Sequence, residues 1–220
     1  MNLDNLVIEV TRKCNMSCEH CLRGSKQNID IDLNYIDSLF NKVNYISNLS
    51  ITGGEPSLSI KAINHIIKTI KKKKIVLGSF YIATNGKNIK PEFVLSAMEL
   101  YLLCEEKESC SIQKSIDYYH EENEDESLLQ ALSFYSERNN WKGSLINQGK
   151  AKKHGLGQRE NNKEEFEVDE NRIIEGRIYL NALGKVIAGC DWSYKEQKQH
   201  TICDIKEFCI DKVLEYVNAN

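Results

Sequence analysis

"LVIEVTRKCNMSCEHC", residues 6–21, decides the fold. Its first part, Leu6–Thr11, is apolar and β-branched and reads as a strand. The strand runs straight into a loop that gathers Cys14, Cys18 and Cys21 within eight residues. The loop raises two questions: why three thiols sit together, and why no fourth joins them.

Thiolates are soft ligands that suit zinc or iron-sulfur clusters. Structural zinc takes four protein ligands, usually as two close pairs. No second pair stands nearby: Cys104 and Cys110 are distant, and His20 beside Cys21 is badly placed to share one ion with it. A 4Fe-4S cluster held by three cysteines leaves one iron open, which is what a catalytic centre needs.

Further along, strands and helices alternate. Residues 32–46, "DLNYIDSLFNKVNYI", carry apolar residues at helical spacing, with Asp32 as cap. "LSIT" (49–52) is a strand, 59–74 a helix, and "FYIATNG" (80–86) a strand closed by the turn signal Asn85-Gly86. Residues 91–103 form a helix with Pro91 in its first turn. The lysines at 71–74 offset a helix dipole rather than form a binding patch. "CSIQKSID" (110–117) reads as a fourth strand, 128–138 as a helix, and "GSLIN" (143–147) as a fifth strand. "RIYLNALGKVIAGC" (177–190) reads as two strands about a turn at Asn181–Gly184, and 202–217 as a final helix. Residues 149–171 resist assignment. Strand–helix repetition predicts an α/β fold with parallel strands. Eight-fold barrels need about 250 residues, so 220 residues favour a partial (βα)6 TIM-like barrel. A single domain is expected over 1–220, with its core in 1–150 and a C-terminal hairpin and helix in 172–220 completing it.

The charge is nearly balanced, at −3 net, which disfavours nucleic acid as a partner. No apolar stretch suits a membrane span. "MNLDNLVIEV" lacks a basic segment before an apolar core, so a cytoplasmic protein is expected. Eight cysteines in such a chain suggest metal or catalysis before disulfides.

"CNMSCEHC" fits CxxxCxxC and resembles the signature of the radical S-adenosylmethionine (SAM) superfamily. "TGGEP" (52–56) after the second strand, "TNG" (84–86) after the third and "SID" (115–117) after the fourth also match that superfamily, in order. The resemblance covers the first half of the chain. It implies that Cys14, Cys18 and Cys21 hold a 4Fe-4S cluster. Gly53, Gly54 and Glu55 would then bind the SAM amino group, and Asn85, Ser115 and Asp117 the ribose and methionyl carboxylate. The backbone near His20 would meet adenine. Lys150, in "INQGKAKKHG" (146–155), takes the place of an arginine that some relatives use on SAM's carboxylate or to tune the cluster; bidentate contact is lost with lysine, and a solvated basic turn is the alternative. The implied reaction is reductive cleavage of SAM to a 5′-deoxyadenosyl radical, with electrons from flavodoxin or ferredoxin, followed by hydrogen abstraction from a substrate.

Three further residues are candidates for catalysis. Glu9 is a carboxylate in a strand whose faces should both be buried; it either forms an ion pair or faces the substrate. His120 follows a strand end, and Asp191 with Trp192 follows what should be the last strand, where packing is the plainer role. Cys190, Cys203 and Cys209 are too few and too spread for the auxiliary-cluster extension of peptide-modifying relatives. A compact chain without a peptide-recognition module or basic face favours a small-molecule substrate. Size and layout resemble compact deazapurine-pathway enzymes, and the most specific expectation is a queuine lyase. The alternatives are a glycyl-radical activase, a peptide-modifying radical enzyme, and a non-enzymatic metal-binding module, against which "GGEP" argues.

Overall fold

A computed structural model describes residues 1–116, 127–139, 145–162, 164–169 and 173–219. Nine strands form one sheet, in the order β5-β4-β3-β2-β1-β7-β8-β9, with β6 paired to β7. They are β1 Asn2–Thr11, β2 Tyr45–Gly53, β3 Val76–Thr84, β4 Ser111–Ile116, β5 Tyr135–Asn139, β6 Glu167–Val168, β7 Ile173–Leu180, β8 Lys185–Ala188 and β9 Thr201–Asp204. β1 to β5 and β7 run parallel; β6, β8 and β9 join by antiparallel pairing. The expected α/β architecture with a mostly parallel sheet is therefore present. One feature differs from serial strand order: the sixth parallel strand, β7, lies beside β1, which makes β1 central.

The helices are α1 Leu33–Phe40, α2 Ile60–Lys73, α3 Pro91–Leu103, α4 Ser127–Gln130, α5 Gly149–Lys153 and α6 Ile210–Ala219. Asp32 caps α1, its side chain accepting from Asn34 N at 2.9 Å. Ile36 and Leu39 of α1, Ile63 and Ile66 of α2, and Phe93 and Ala97 of α3 are fully or nearly fully buried against the sheet.

The sheet has two unlike faces, because strand side chains alternate. In one set of registered positions lie Leu6, Ile8, Leu49, Ile51, Phe80, Ile82 and Ile112, all fully buried in the main core. The intervening positions carry Ser50, Thr52, Tyr81, Ser111, Gln113 and Ser136, all half-buried. A parallel sheet is ordinarily apolar on both faces; here one face is polar and partly open.

Four sequence expectations are corrected. Residues 32–46 were expected at helical spacing throughout, but α1 ends at Phe40 and Tyr45 already opens β2. Residues 128–138 were expected as one helix, but α4 ends at Gln130 and β5 begins at Tyr135. Phe134 stacks on Tyr101 at 4.6 Å and meets Phe80 edge-on at 5.6 Å, so tertiary aromatic packing overrides helical spacing. "GSLIN" is not a ladder strand among its described residues; Ile146 makes only an isolated bridge to Arg159. In 202–217 the first residues belong to β9, paired with β8, and the helix starts at Ile210.

Candidate functional site

The cysteine loop is held by three other parts of the chain. The first is the end of β2. Gly54 N donates to Thr11 O at 2.8 Å and Glu55 N to Lys13 O at 2.8 Å, immediately before Cys14. A Cβ on Gly53 would lie 2.3 Å from Thr11 O, and one on Gly54 2.1 Å from Lys13 O. The two glycines are thus required by the chain's own backbone. The sequence expectation was close approach to a ligand; the structure shows close approach to the loop that carries the thiols.

The second is the turn after β3. Asn85 Nδ2 donates to Asn15 Oδ1 at 2.8 Å and lies 3.8 Å from Cys14 Sγ. Asn15 Nδ2 returns a bond to Lys87 O at 2.8 Å. Glu55 anchors this turn. It is 1% exposed; Oε1 accepts from Thr84 Oγ1 at 2.7 Å and Ser57 N at 3.0 Å, and Oε2 from Asn85 N at 2.8 Å. Burial pushes its carboxyl above the usual range, against the pull of those donors. Its side chain therefore joins β2 to β3 as a positioning residue.

The third is the start of α5. Lys150 N donates to Cys21 O at 2.9 Å, and Lys150 Nζ to Ser17 Oγ at 3.1 Å. Gly149, at φ +54°, sits where a Cβ would strike Leu22 O at 2.2 Å. All three cysteines are half-buried, and none is in a disulfide. Burial foremost raises the Cys14 thiol, with the charges of Glu55 and Cys21 adding. Among the described residues, no three Cys, His, Asp or Glu side chains converge as ligands of a single ion.

His20 is half-buried next to Cys21, and Ser115 is half-buried near the carboxyl end of β4. Asp117 and His120 lie outside the described residues.

Glu9 is fully buried, and its carboxylate is engaged on both oxygens. Oε1 accepts from Arg12 Nε at 2.5 Å and Ala182 N at 3.1 Å; Oε2 accepts from Tyr179 Oη at 2.5 Å and Gln197 Nε2 at 3.3 Å. This is the ion-pair alternative, joined by partners from β7 and beyond, and it leaves the carboxylate facing protein donors instead of a substrate. Asp191 pairs with Arg177 at 3.1 Å, and Arg177 also binds Glu164 at 2.8 Å and Cys190 Sγ at 3.3 Å. Burial, then Asp191, pushes the Cys190 thiol up to about 11. Trp192 is packed with Val7, Tyr179 and Ile187 and stacks on His200 at 3.4 Å. Cys104, Cys110 and Cys203 are buried thiols.

Two features escaped the sequence reading. The polar sheet face could have been found from the alternation Leu49-Ser50-Ile51-Thr52, read as period two. The partners of Glu9 had no local signal.

Residues 7–103 match a family model described as a 4Fe-4S single cluster domain. The chain is 38% identical over 69 residues to the uncharacterized protein MJ0907 of Methanocaldococcus jannaschii, which is 30% of this chain and 24% of that one. It is 40% identical over 76 residues to YfkA of Bacillus subtilis, 33% of this chain and 20% of that one. The chain thus spans a quarter or less of these curated relatives. The fold resembles native anSMEcpe with bound AdoMet and Cp18Cys peptide, at TM-score 0.53 and 10% identity, over 100% of this chain and 82% of that one. It also resembles selenomethionine BtrN in an open conformation, at TM-score 0.56 and 14% identity, over 99% and 85%. At these identities the two structures show a shared fold, and the family match likens residues 7–103 to a 4Fe-4S single cluster domain.

Proposed function

We propose that this chain is a radical SAM enzyme acting on a small polar molecule. One observation carries the reading: the ends of β2 and β3 and the start of α5 all close on the CxxxCxxC loop while its thiols stay half-exposed. A purely structural metal module has no need for a glycine turn and an asparagine turn docked on its ligand loop. Cys14, Cys18 and Cys21 would hold a 4Fe-4S cluster. When bound, that cluster and SAM supply one-electron, radical-generating chemistry, drawing on a flavodoxin- or ferredoxin-type donor in the cytoplasm.

The chain's residues orient and exclude. The Gly53–Glu55 turn fixes the approach of the thiol loop, and its backbone carbonyls are the natural acceptors for SAM's ammonium, since the Glu55 carboxylate is already engaged. Asn85 holds Asn15 and borders Cys14. Ser115, Asp117, His20 and Lys150 remain proposed SAM contacts, His120 a proposed substrate contact and Asp191 a proposed catalytic residue. The half-buried row of Ser50, Thr52, Tyr81, Ser111, Gln113 and Ser136 offers hydroxyl and amide partners suited to a small polar substrate. Within that class, queuine lyase is the specific reading, taken from the likeness in layout.

The test is anaerobic reconstitution followed by reduction with SAM. About four irons per chain, absorption near about 400 nm and 5′-deoxyadenosine release are expected, with the yield rising on addition of queuine. A colourless protein with stoichiometric zinc refutes the superfamily reading. Dependence on a peptide or a protein partner instead selects the peptide-modifying or glycyl-radical-activating alternative.

A further inference from the structure

We infer that residues 192–197 brace the cysteine loop from the far end of the chain, with Arg12 and Arg23 as the positioning residues through which they hold it. The inference rests on the reading of that loop as the cluster site and adds one more support to those described above.

The two arginines bound the ligand motif. Arg12 stands two residues before Cys14, and Arg23 two residues after Cys21. Each spends its side chain on the same short segment. Arg23 donates to Trp192 O at 2.7 Å, and Tyr194 N donates back to Arg23 O at 3.1 Å. Arg12 is 3% exposed. It donates to Gln197 Oε1 at 2.7 Å, and its guanidinium lies 4.2 Å from the centre of the Tyr194 ring. The same guanidinium reaches Gln27 Oε1 at 3.0 Å, and Gln27 N donates to Arg12 O at 3.1 Å. The two ends of the loop are thus closed on each other at Arg12 and held together against 192–197.

The segment is itself well anchored. Trp192 and Gln197 are buried. Trp192 packs on Val7, Tyr179 and Ile187, registered neighbours on β1, β7 and β8, and its indole N–H donates to Ala188 O at 2.7 Å. Gln197 Oε1 also accepts from Asn181 Nδ2 at 3.0 Å, and Gln197 Nε2 donates to Glu9 Oε2 at 3.3 Å. Between these anchors Ser193 N donates to Gln148 Oε1 at 3.4 Å, and Glu196 meets Lys152 at 3.7 Å, so the segment also steadies the start of α5. The docking of β7 beside β1 thereby fixes where the thiol loop sits.

Residues 12–29 form neither helix nor strand. A loop of that kind opens locally unless it is tied down, and gathering three ligands from a mobile loop costs conformational entropy. A brace that orders the loop during folding removes that cost from ligand binding. Hydrogen bonds from guanidinium donors suit the task, being stronger than those between neutral groups.

The experiment is hydrogen exchange of the metal-free full chain, read by peptide mass spectrometry, on wild type, Arg23→Ala, Arg23→Lys and Gln197→Ala. The amides of 12–27 should exchange on the order of tenfold to a hundredfold faster in Arg23→Ala and Gln197→Ala, the effect of losing one hydrogen bond to a charged group. Those of α1, α2 and α3 should keep wild-type rates. Arg23→Lys keeps a donor for Trp192 O and should restore most of the protection. Wild-type exchange in 12–27 overturns the inference. So does acceleration spread evenly over the chain, which is the mark of general destabilisation. If Arg23→Ala does not fold, Gln197→Ala decides on the same criteria. After anaerobic reconstitution, Arg23→Ala should lose iron to a chelator on the order of tenfold faster than wild type, and equal retention overturns the positioning role. A wild-type chain that takes up no iron refutes the cluster reading instead, on which the exchange rates do not depend.

Discussion

Replacing Gly54 with alanine tests the cradle most directly. The new Cβ would lie 2.1 Å from Lys13 O and 2.7 Å from Lys13 C. Both are backbone atoms that no rotamer change can move. Relief to ordinary contact requires residues 11–13 to retreat by an ångström or more, which pulls on the 2.8 Å bonds Gly54 N–Thr11 O and Glu55 N–Lys13 O. Overpacking costs about 1–3 kcal/mol, and two weakened hydrogen bonds add about 1 kcal/mol each. The expected loss is about 3–5 kcal/mol, a large part of the roughly 5–15 kcal/mol that holds a domain. Urea unfolding of the metal-free chain should show a lower midpoint at unchanged slope. Iron uptake should fall further than stability alone requires, because Cys14 directly follows the displaced residues. A Gly54→Ala chain with the wild-type midpoint and full iron content would refute the view that the glycines serve the thiol loop.

Glu55→Gln leaves one of its N–H partners facing an amide N–H, which should cost about 1–3 kcal/mol and loosen the Asn85 turn, read as reduced iron retention. Because burial raises the Glu55 carboxyl in the folded state, its contribution to stability is full below the ordinary carboxylate range near about 4.3 and is lost as pH rises through the raised value. The variant should flatten that limb of the urea midpoint against pH, and an unchanged limb refutes the assignment. Tyr179→Phe removes the hydroxyl bound to Glu9 and should lower stability by about 1.5–3 kcal/mol in thermal or urea melts; a neutral change would mean Glu9 does not depend on β7. With its thiol pushed up to about 11, Cys190 should be alkylated at pH 8 on the order of 100-fold more slowly than a free cysteine. Asp191→Asn, by removing one raising charge, should speed that reaction, as peptide mass spectrometry can follow.

The sequence alone determined the thiol loop, the GGEP and TNG turns, the Asp32 cap and the alternation of strand and helix. Each is a contiguous stretch whose geometry is dictated by its own residue types: soft thiols at fixed spacing, glycines where a Cβ cannot fit, apolar residues at helical period. Tertiary structure decided the rest. Whether 128–138 became helix or strand turned on Phe134 meeting Tyr101 and Phe80. The role of Glu9 turned on Tyr179 and Gln197, which stand 170 and 188 residues away in the chain. A buried carboxylate takes its meaning from whichever donors the fold delivers to it, and no local pattern specifies donors that arrive only when β7 inserts beside β1.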